Sequence, residues 1–379
     1  MRFEDRALRF ASGLVASSLF ACSSGSRATS GTDGGCGVDA PSEQDAASRD
    51  GADGASPSRA NGSLGDWQSL SPMPLPRANH CSVVAAGYLV VIGGNYEPEG
   101  GTTFVDIDEV DVAMLHEDGS IGAWSRAGST PSPVSGCTAA ARGDTIYIVD
   151  GLYDDASDQG HVFSARLSAS GVLTAFSALG PLPGGQDAFY SEAWVTSEET
   201  GKLLTIDSSL SSTTVLEVST VPTMGVWSID TWLSGFLGRP ESAFTGSYLY
   251  AMGGYLSDDA GNPTVTTVVG SPVAADGKIG ASFKTQPLPA PITYGNGIAV
   301  DNFVFVVGGK TTPFGTGEVG AWSSEIASSG DLGAWKAETP LPQGRTDMAL
   351  TLAGDFLYLT GGGYMGPGVD TVFAARVRF

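Results

Sequence analysis

Arg77 and Arg345 close two similar proline-rich phrases, Pro74-Leu-Pro-Arg77 and Leu341-Pro-Gln-Gly-Arg345, and Arg239 follows a looser version. A guanidinium presents a planar fork of donors that matches carboxylates and sulfates. Elsewhere carboxylates gather near tyrosines: Glu97, Glu99, Asp106 and Asp108 near Tyr96; Asp154, Asp155 and Asp158 beside Tyr153; Asp258 and Asp259 beside Tyr255; a further tyrosine stands at Tyr364. Aromatic rings stack on sugar faces or hold cations, and carboxylates bind hydroxyls or Ca²⁺. The ligand-binding expectation therefore falls on Arg77, Arg345, Tyr96, Tyr153, Tyr255, Tyr364, Asp154 and Asp155. The plainer alternative is that the arginines tie neighbouring segments together and the acids solvate loops. The chain holds only His80, His116 and His161, so acid–base work would fall to carboxylates. Gly-x-Ser-x-Gly and phosphate-binding glycine loops followed by Lys-Ser/Thr are absent. No catalytic residue, metal or cofactor is assigned.

A repeated phrase positions these residues. It reads Gly62-Ser63-Leu64-Gly65-Asp66-Trp67 and Gly119-Ser120-Ile121-Gly122-Ala123-Trp124, and returns at 171–176, 277–283 and 330–335, with a degenerate copy ending at Trp227. Its aromatics, Trp67, Trp124, Phe176, Trp227, Phe283 and Trp335, are 57, 52, 51, 56 and 52 residues apart. A period of about 50 residues indicates an array of small sheets. In the first unit a strand over 80–86 leads through Ala86-Gly87 into Tyr88-Leu-Val-Val-Ile92. A third strand near 109–116 follows a polar loop, and after Asp118-Gly119 a fourth strand ends at Trp124. The second-strand runs 146–149, 248–252, 303–307 and 356–360 lack polar alternation, as strands covered on both faces do. Gly93-Gly94, Gly253-Gly254, Gly308-Gly309 and Gly361-Gly362 follow such runs; two units carry Asp150-Gly151 and Asp207-Ser208 instead.

The hydrophobic strand with its Gly-Gly, the Tyr that follows (Tyr96, Tyr255, Tyr364), the repeat-phrase Trp and the proline–arginine approach resemble bacterial Kelch-repeat propellers of the galactose-oxidase central-domain type, over residues 61–379. The resemblance implies an all-β fold, a six-bladed β-propeller of four-stranded antiparallel blades. Only 44 residues follow Trp335; they leave the last blade one strand short, and 61–67 has the sequence of the missing strand. The last blade is expected to be closed by this N-terminal strand. The resemblance also places the long loops (95–108, 152–160, 255–263, 310–319) on one face and the short turns on the other. Long loops on a rigid scaffold carry recognition. A six-bladed relative, sialic-acid mutarotase, implies a channel site in which Arg77, Arg345 and a nearby acid would work. The galactose-oxidase copper site does not transfer, because no Tyr/Cys/His set converges.

Residues 1–21 read as an export signal: Arg2, Arg6 and Arg9 precede an apolar stretch too short to span a bilayer. Leu19-Phe20-Ala21-Cys22 resembles a lipoprotein lipobox, with Cys22 the lipidated residue; a plain secretory signal is the alternative. Residues 22–60, small and polar, make a tether with a reach of about 35 Å. Ser23, in place of Asp, points to the outer membrane of a Gram-negative cell. The net charge of −22 disfavours nucleic acid and anionic lipid, leaving a protein or glycan ligand, membrane contact through the lipid only, and a monomer. Cys81 and Cys137 hold nearly equivalent places in successive repeats, as a disulfide or as two buried thiols; Cys36 has no evident partner.

Overall fold

The computed structural model describes residues 62–98, 101, 103–149, 152–153, 161–181, 191–195, 202–209, 212–219, 228–234, 238–256, 263–363 and 368–378. The signal, the tether and Cys22 lie outside them, as do Glu99, Asp154, Asp155, Asp158, Asp258, Asp259 and Tyr364. The described residues are all-β, with no helix among them, and the architecture is a β-propeller.

Five antiparallel sheets each use four strands in chain order. The first is Cys81–Ala85, Tyr88–Ile92, Glu109–Met114 and Ser125–Ser129. The second runs from Thr138–Arg142 to Ser177–Pro181, the third from Ser191–Val195 to Ser228–Ser234, the fourth from Glu241–Phe244 to Phe283–Lys284, and the fifth from Thr293–Val300 to Lys336–Ala337. The sixth holds Ala349–Ala353, Phe356–Thr360 and Val372–Arg378, and takes its outer edge from the other end of the chain: Ser63 pairs with Arg378, and Gln68 with Ala374. The inner strand Cys81–Ala85 lies between Thr138–Arg142 and Ala349–Ala353, so the first and sixth sheets meet.

The cores lie between neighbouring sheets. One joins Val83, Val90 and Val112 of the first to Ala139, Ile146 and Ile148 of the second; another joins Phe305 and Val307 of the fifth to Leu350, Leu357, Leu64 and Trp67 of the sixth. Tyr88–Ile92 is buried at every residue, because it has a neighbour on each face. Cys81 and Cys137 form a disulfide, Cα atoms 5.7 Å apart, joining the inner strands of the first two sheets.

The repeat phrase corrects one expectation. The fourth strand does not end at its Trp; it begins just after it, at Ser125 and at Lys336. Past the turn, Ile121 makes a single bridge to Leu115. The indole then leaves the ladder to donate outward, Trp124 Nε1–H to Ser71 O at 3.0 Å, Trp335 to Gln286 O at 3.1 Å and Trp67 to Thr339 O at 3.1 Å. Each Trp thus latches its sheet to the segment leaving the preceding sheet. The 61–67 segment is likewise two short pairings, Ser63–Leu64 and Gln68–Ser69, either side of Trp67. The phrase's first glycine has a matching role: a Cβ on Gly119, already at φ +85°, would overlap the Phe356 ring of the sheet before it.

Candidate functional site at the channel mouth

The Gly-Gly pairs bring each sheet's approach segment into place. Gly94 N–H donates to Val134 O, Gly254 to Ile292 O, Gly309 to Arg345 O and Gly362 to Arg77 O, at 2.7–3.0 Å. A Cβ on Gly93 or Gly361 would run into the same carbonyls. Two residues beyond each of these carbonyls the backbone turns left-handed: Gly136 (φ +63°), Tyr294 (+63°), Asp347 (+54°) and Asn79 (+59°), with Arg239 (+49°) in the same place ahead of the fourth sheet. Non-glycine residues hold this conformation at a cost of about 1–3 kcal/mol, and such strain concentrates at functional sites. The turns are linked to one another: Asp347 N–H donates to Tyr294 O at 3.3 Å, Asn79 N–H to Asp347 O at 3.2 Å, and Gly136 N–H to Asn79 O at 2.8 Å. Among the described residues these bonds form a belt that runs from the approach to the fifth sheet through those of the sixth and first to that of the second.

The side chains of the belt converge. Arg239 Nη1 stands 3.9 Å from Asp347 Oδ1. The Arg239 guanidinium lies 4.0 Å from the centre of the Tyr294 ring, and Lys310 Nζ lies 3.7 Å from it, so two cations share one ring. Thr346 Oγ1 donates to Asp347 Oδ2 at 2.7 Å, while Asp347 Oδ1 has no hydrogen-bond partner. Glu241 Oε1 accepts from Gly295 N–H at 2.8 Å. Arg239, Tyr294, Lys310 and Asp347 are all buried. Burial pushes the Asp347 carboxyl up, and the positive charges of Arg239 and Lys310 oppose that shift. Cations, a carboxylate and a phenol are the groups that bind anions and polyols, and a carboxyl of raised pKa can exchange a proton.

The arginines expected in the channel are engaged elsewhere. Arg77 is fully buried; it donates to Gly93 O at 3.0 Å and ion-pairs with Asp111. Burial lowers the guanidinium and raises the Asp111 carboxyl, and their mutual attraction opposes both shifts. Arg345 donates to Thr371 Oγ1 at 2.8 Å and to Gly344 O, with Phe373 beside it. Both side chains tie an approach segment into the sheets. Tyr255 is also buried, its ring filling the space a Cβ on Gly238 would need. Tyr96, half-buried, sits in the hairpin of Asn95–Tyr96 with Val105–Asp106. Tyr153 belongs to a strand paired with Val134–Ser135. Sequence reasoning missed Tyr294, Lys310 and Asp347. The available signal was position: Asp347 stands two residues after Arg345, as Asn79 does after Arg77, and Lys310 follows Gly308-Gly309 directly.

At the other end of the inner strands a cleft of about 740 Å³ is lined by the turns at Ala86-Gly87, Gly143 and Gly354, with Leu115, His116 and Tyr358. Tyr358 is spent on Gly119 O. Among the described residues no three His, Cys, Asp or Glu side chains gather as a metal site.

No family model matches this chain. Over 96 residues, 25% of the chain, it is 30% identical to Kelch repeat and BTB domain-containing protein 12 of Danio rerio, and that match spans 15% of the relative. The solved structure of YjhT is similar in fold, with a TM-score of 0.59 at 12% identity, over 82% of this chain and 99% of that one. The first likeness is to a Kelch-repeat protein over a quarter of this chain, and the second is to a solved structure that shares the β-propeller fold described above.

Proposed function

We propose that the protein is a cell-envelope lipoprotein, anchored through Cys22 at the outer membrane, that presents a six-bladed Kelch-like propeller as a monomeric binding module for a protein or glycan. The strand pairing of Ser63–Leu64 with Val377–Arg378 supports closure of the sixth blade by the N-terminal segment. The observation that carries the binding reading is the placement of exposed apolar side chains. Phe104, Val105, Leu256, Phe314 and Val319 all stand on or beside connections between second and third strands. Recognition on a propeller needs such projecting loops and a rigid base beneath them. In this reading no nucleic acid binds, and the lipid makes the only membrane contact. A glycan array and an envelope-protein pull-down with the full chain bearing Cys22→Ser, each with and without Ca²⁺, test it. Failure of both removes the reading. Loss of labelled-palmitate incorporation in Cys22→Ser tests the anchor.

A second reading, a sugar-directed enzyme of sialic-acid mutarotase type, is favoured by the strained belt with its buried Arg239–Asp347 pair and raised carboxyl. Here Arg239 and Lys310 would hold the carboxylate of a sugar acid, and Asp347 would move the proton at its ring oxygen or anomeric hydroxyl. Proton NMR of anomer exchange in N-acetylneuraminate decides it: acceleration that Asp347→Asn abolishes supports the enzyme, and an unchanged exchange rate removes it.

A further inference from the structure

The long-loop face sorts its charges in an unusual way. Arg77, Arg239, Lys310 and Arg345 all belong to its loops and approach segments, and all four are buried. Arg126 is exposed there but already engaged by Asp108 and Glu109, each at 3.2 Å. The carboxylates of the same loops, Glu97, Asp106, Asp108 and Glu318, are all partly exposed. Exposed basic side chains lie toward the other end of the sheets, among them Arg166, Lys278, Arg376 and Arg378. The apolar side chains follow the same division: Phe314 is 71% exposed and Phe104 50%, and five of the seven large exposed apolar residues among those described belong to the long-loop face. Leu256, Phe314 and Val319 stand on the loops of the fourth and fifth sheets, whose inner strands are neighbours.

A surface that buries its cations and projects apolar tips among carboxylates is complementary to one kind of occupant. We propose that this face docks a basic amphipathic polypeptide segment: a large apolar side chain of the partner enters beside Leu256, Phe314 and Val319, and flanking Lys or Arg side chains meet Glu318 and the carboxylates near Phe104. The apolar anchor supplies the affinity, since a few desolvated aromatic contacts dominate most interfaces. The acidic surround, within a chain of net charge −22, steers the encounter and rejects acidic partners. The proposal rests on the binding-module reading and names its partner class.

The test uses the full chain bearing Cys22→Ser and three short labelled peptides: one alternating Lys with Leu and Trp, one with Glu in place of Lys, and one with Lys kept but Leu and Trp replaced by Ser. Fluorescence anisotropy is read at near-physiological salt. The first peptide alone should bind. Phe314→Ser should weaken it about tenfold or more, while Val172→Ser, an exposed apolar residue at a turn of the opposite face, should leave it unchanged. Equal binding of the Glu peptide, equal binding of the Ser peptide (bulk charge alone), or an effect of Val172→Ser in place of Phe314→Ser would each overturn the proposal. If no peptide binds, the proposal falls, and the glycan array then separates a glycan-binding module from no binding module at all.

Discussion

The two ends of the propeller are built by opposite means. At the short-turn end the chain reverses through Ala86-Gly87, Gly143 and Gly354, and its exposed ion pairs, Arg166 with Asp144 and Arg376 with Asp355, lie in water. Such solvent-exposed, salt-screened pairs contribute little to stability. At the long-loop end polar side chains are drawn inward: Arg77 onto Asp111, Arg239 beside Asp347, and Lys310 over Tyr294. Desolvated charges there lose heavily if a partner is removed. The first end uses its backbone to turn, whereas the second uses its backbone to aim side chains. The lesson is that a ring of similar sheets can concentrate backbone strain and buried charge at one end without altering the repeat that holds it together.

The largest expected effect breaks both ends together. Deleting residues 62–69 removes the outer edge of the sixth sheet, the burial of Leu64 and Trp67, and the Trp67 latch to Thr339. Each large buried side chain alone contributes about 1.5–3 kcal/mol. The shortened chain should aggregate and show no cooperative thermal transition; a melt matching that of the intact chain would refute the closure.

Next comes the buried charge of the long-loop end. Asp347→Leu removes the buried carboxylate beside Arg239 and should cost about 3–5 kcal/mol in denaturant unfolding. Asp355→Leu at the short-turn end should cost less than about 1 kcal/mol. Equal costs would erase the contrast between the ends.

The disulfide sharpens the comparison along the channel wall. Its sequence separation is 56 residues, for which loop-closure entropy gives about 4 kcal/mol, with typical measured values of about 2–4 kcal/mol. Cys81→Ala with Cys137→Ala should lower stability by that order and shift the melting temperature downward, while binding at the distant Phe314 loop persists in the folded population.

The smallest effect is a pH dependence. His80 is fully buried, its Nε2 2.8 Å from Thr360 Oγ1, and burial, then the charge of Arg77, hold its pKa well below the ordinary 6.5. A depressed value means that the fold prefers the neutral ring. The stabilisation is therefore whole above about pH 6.5 and is lost as the pH falls toward the folded value, because the unfolded chain takes up the proton first. Melting temperature should decline from pH 7.5 to pH 5, and His80→Gln should flatten that slope. A slope unchanged in the variant would assign it to other groups.

Much of the scaffold was legible because the repeat is enforced by chemistry that tolerates few residue types. Only glycine accepts both the positive φ and the close carbonyl at Gly93 and Gly361, and only an indole reaches from Trp124 to Ser71 O. The strand boundaries around that Trp were misplaced, because its apolar character suggests a ladder position while its N–H draws it out of the ladder. The belt was the least legible. Its described members are Asn79, Gly136, Arg239, Tyr294 and Asp347, five different residue types sharing one backbone conformation. A search by residue type finds Arg77, Arg345 and Arg239 and passes over Tyr294 and Asp347.

By itself, then, the chain's order of residues determined an all-β array, its period, its second strands and the pairing of its two ends, because local turn chemistry and apolar runs are written residue by residue. Which charges meet was decided only in three dimensions. Arg239 precedes the fourth sheet, Tyr294 and Lys310 lie on paired strands of the fifth, and Asp347 precedes the sixth, and their approach depends on glycine pairs that let neighbouring backbones close to hydrogen-bonding distance. Coulomb and cation–π energies depend on distance and burial, and for Arg239 with Tyr294 and Asp347 both are set by neighbouring sheets.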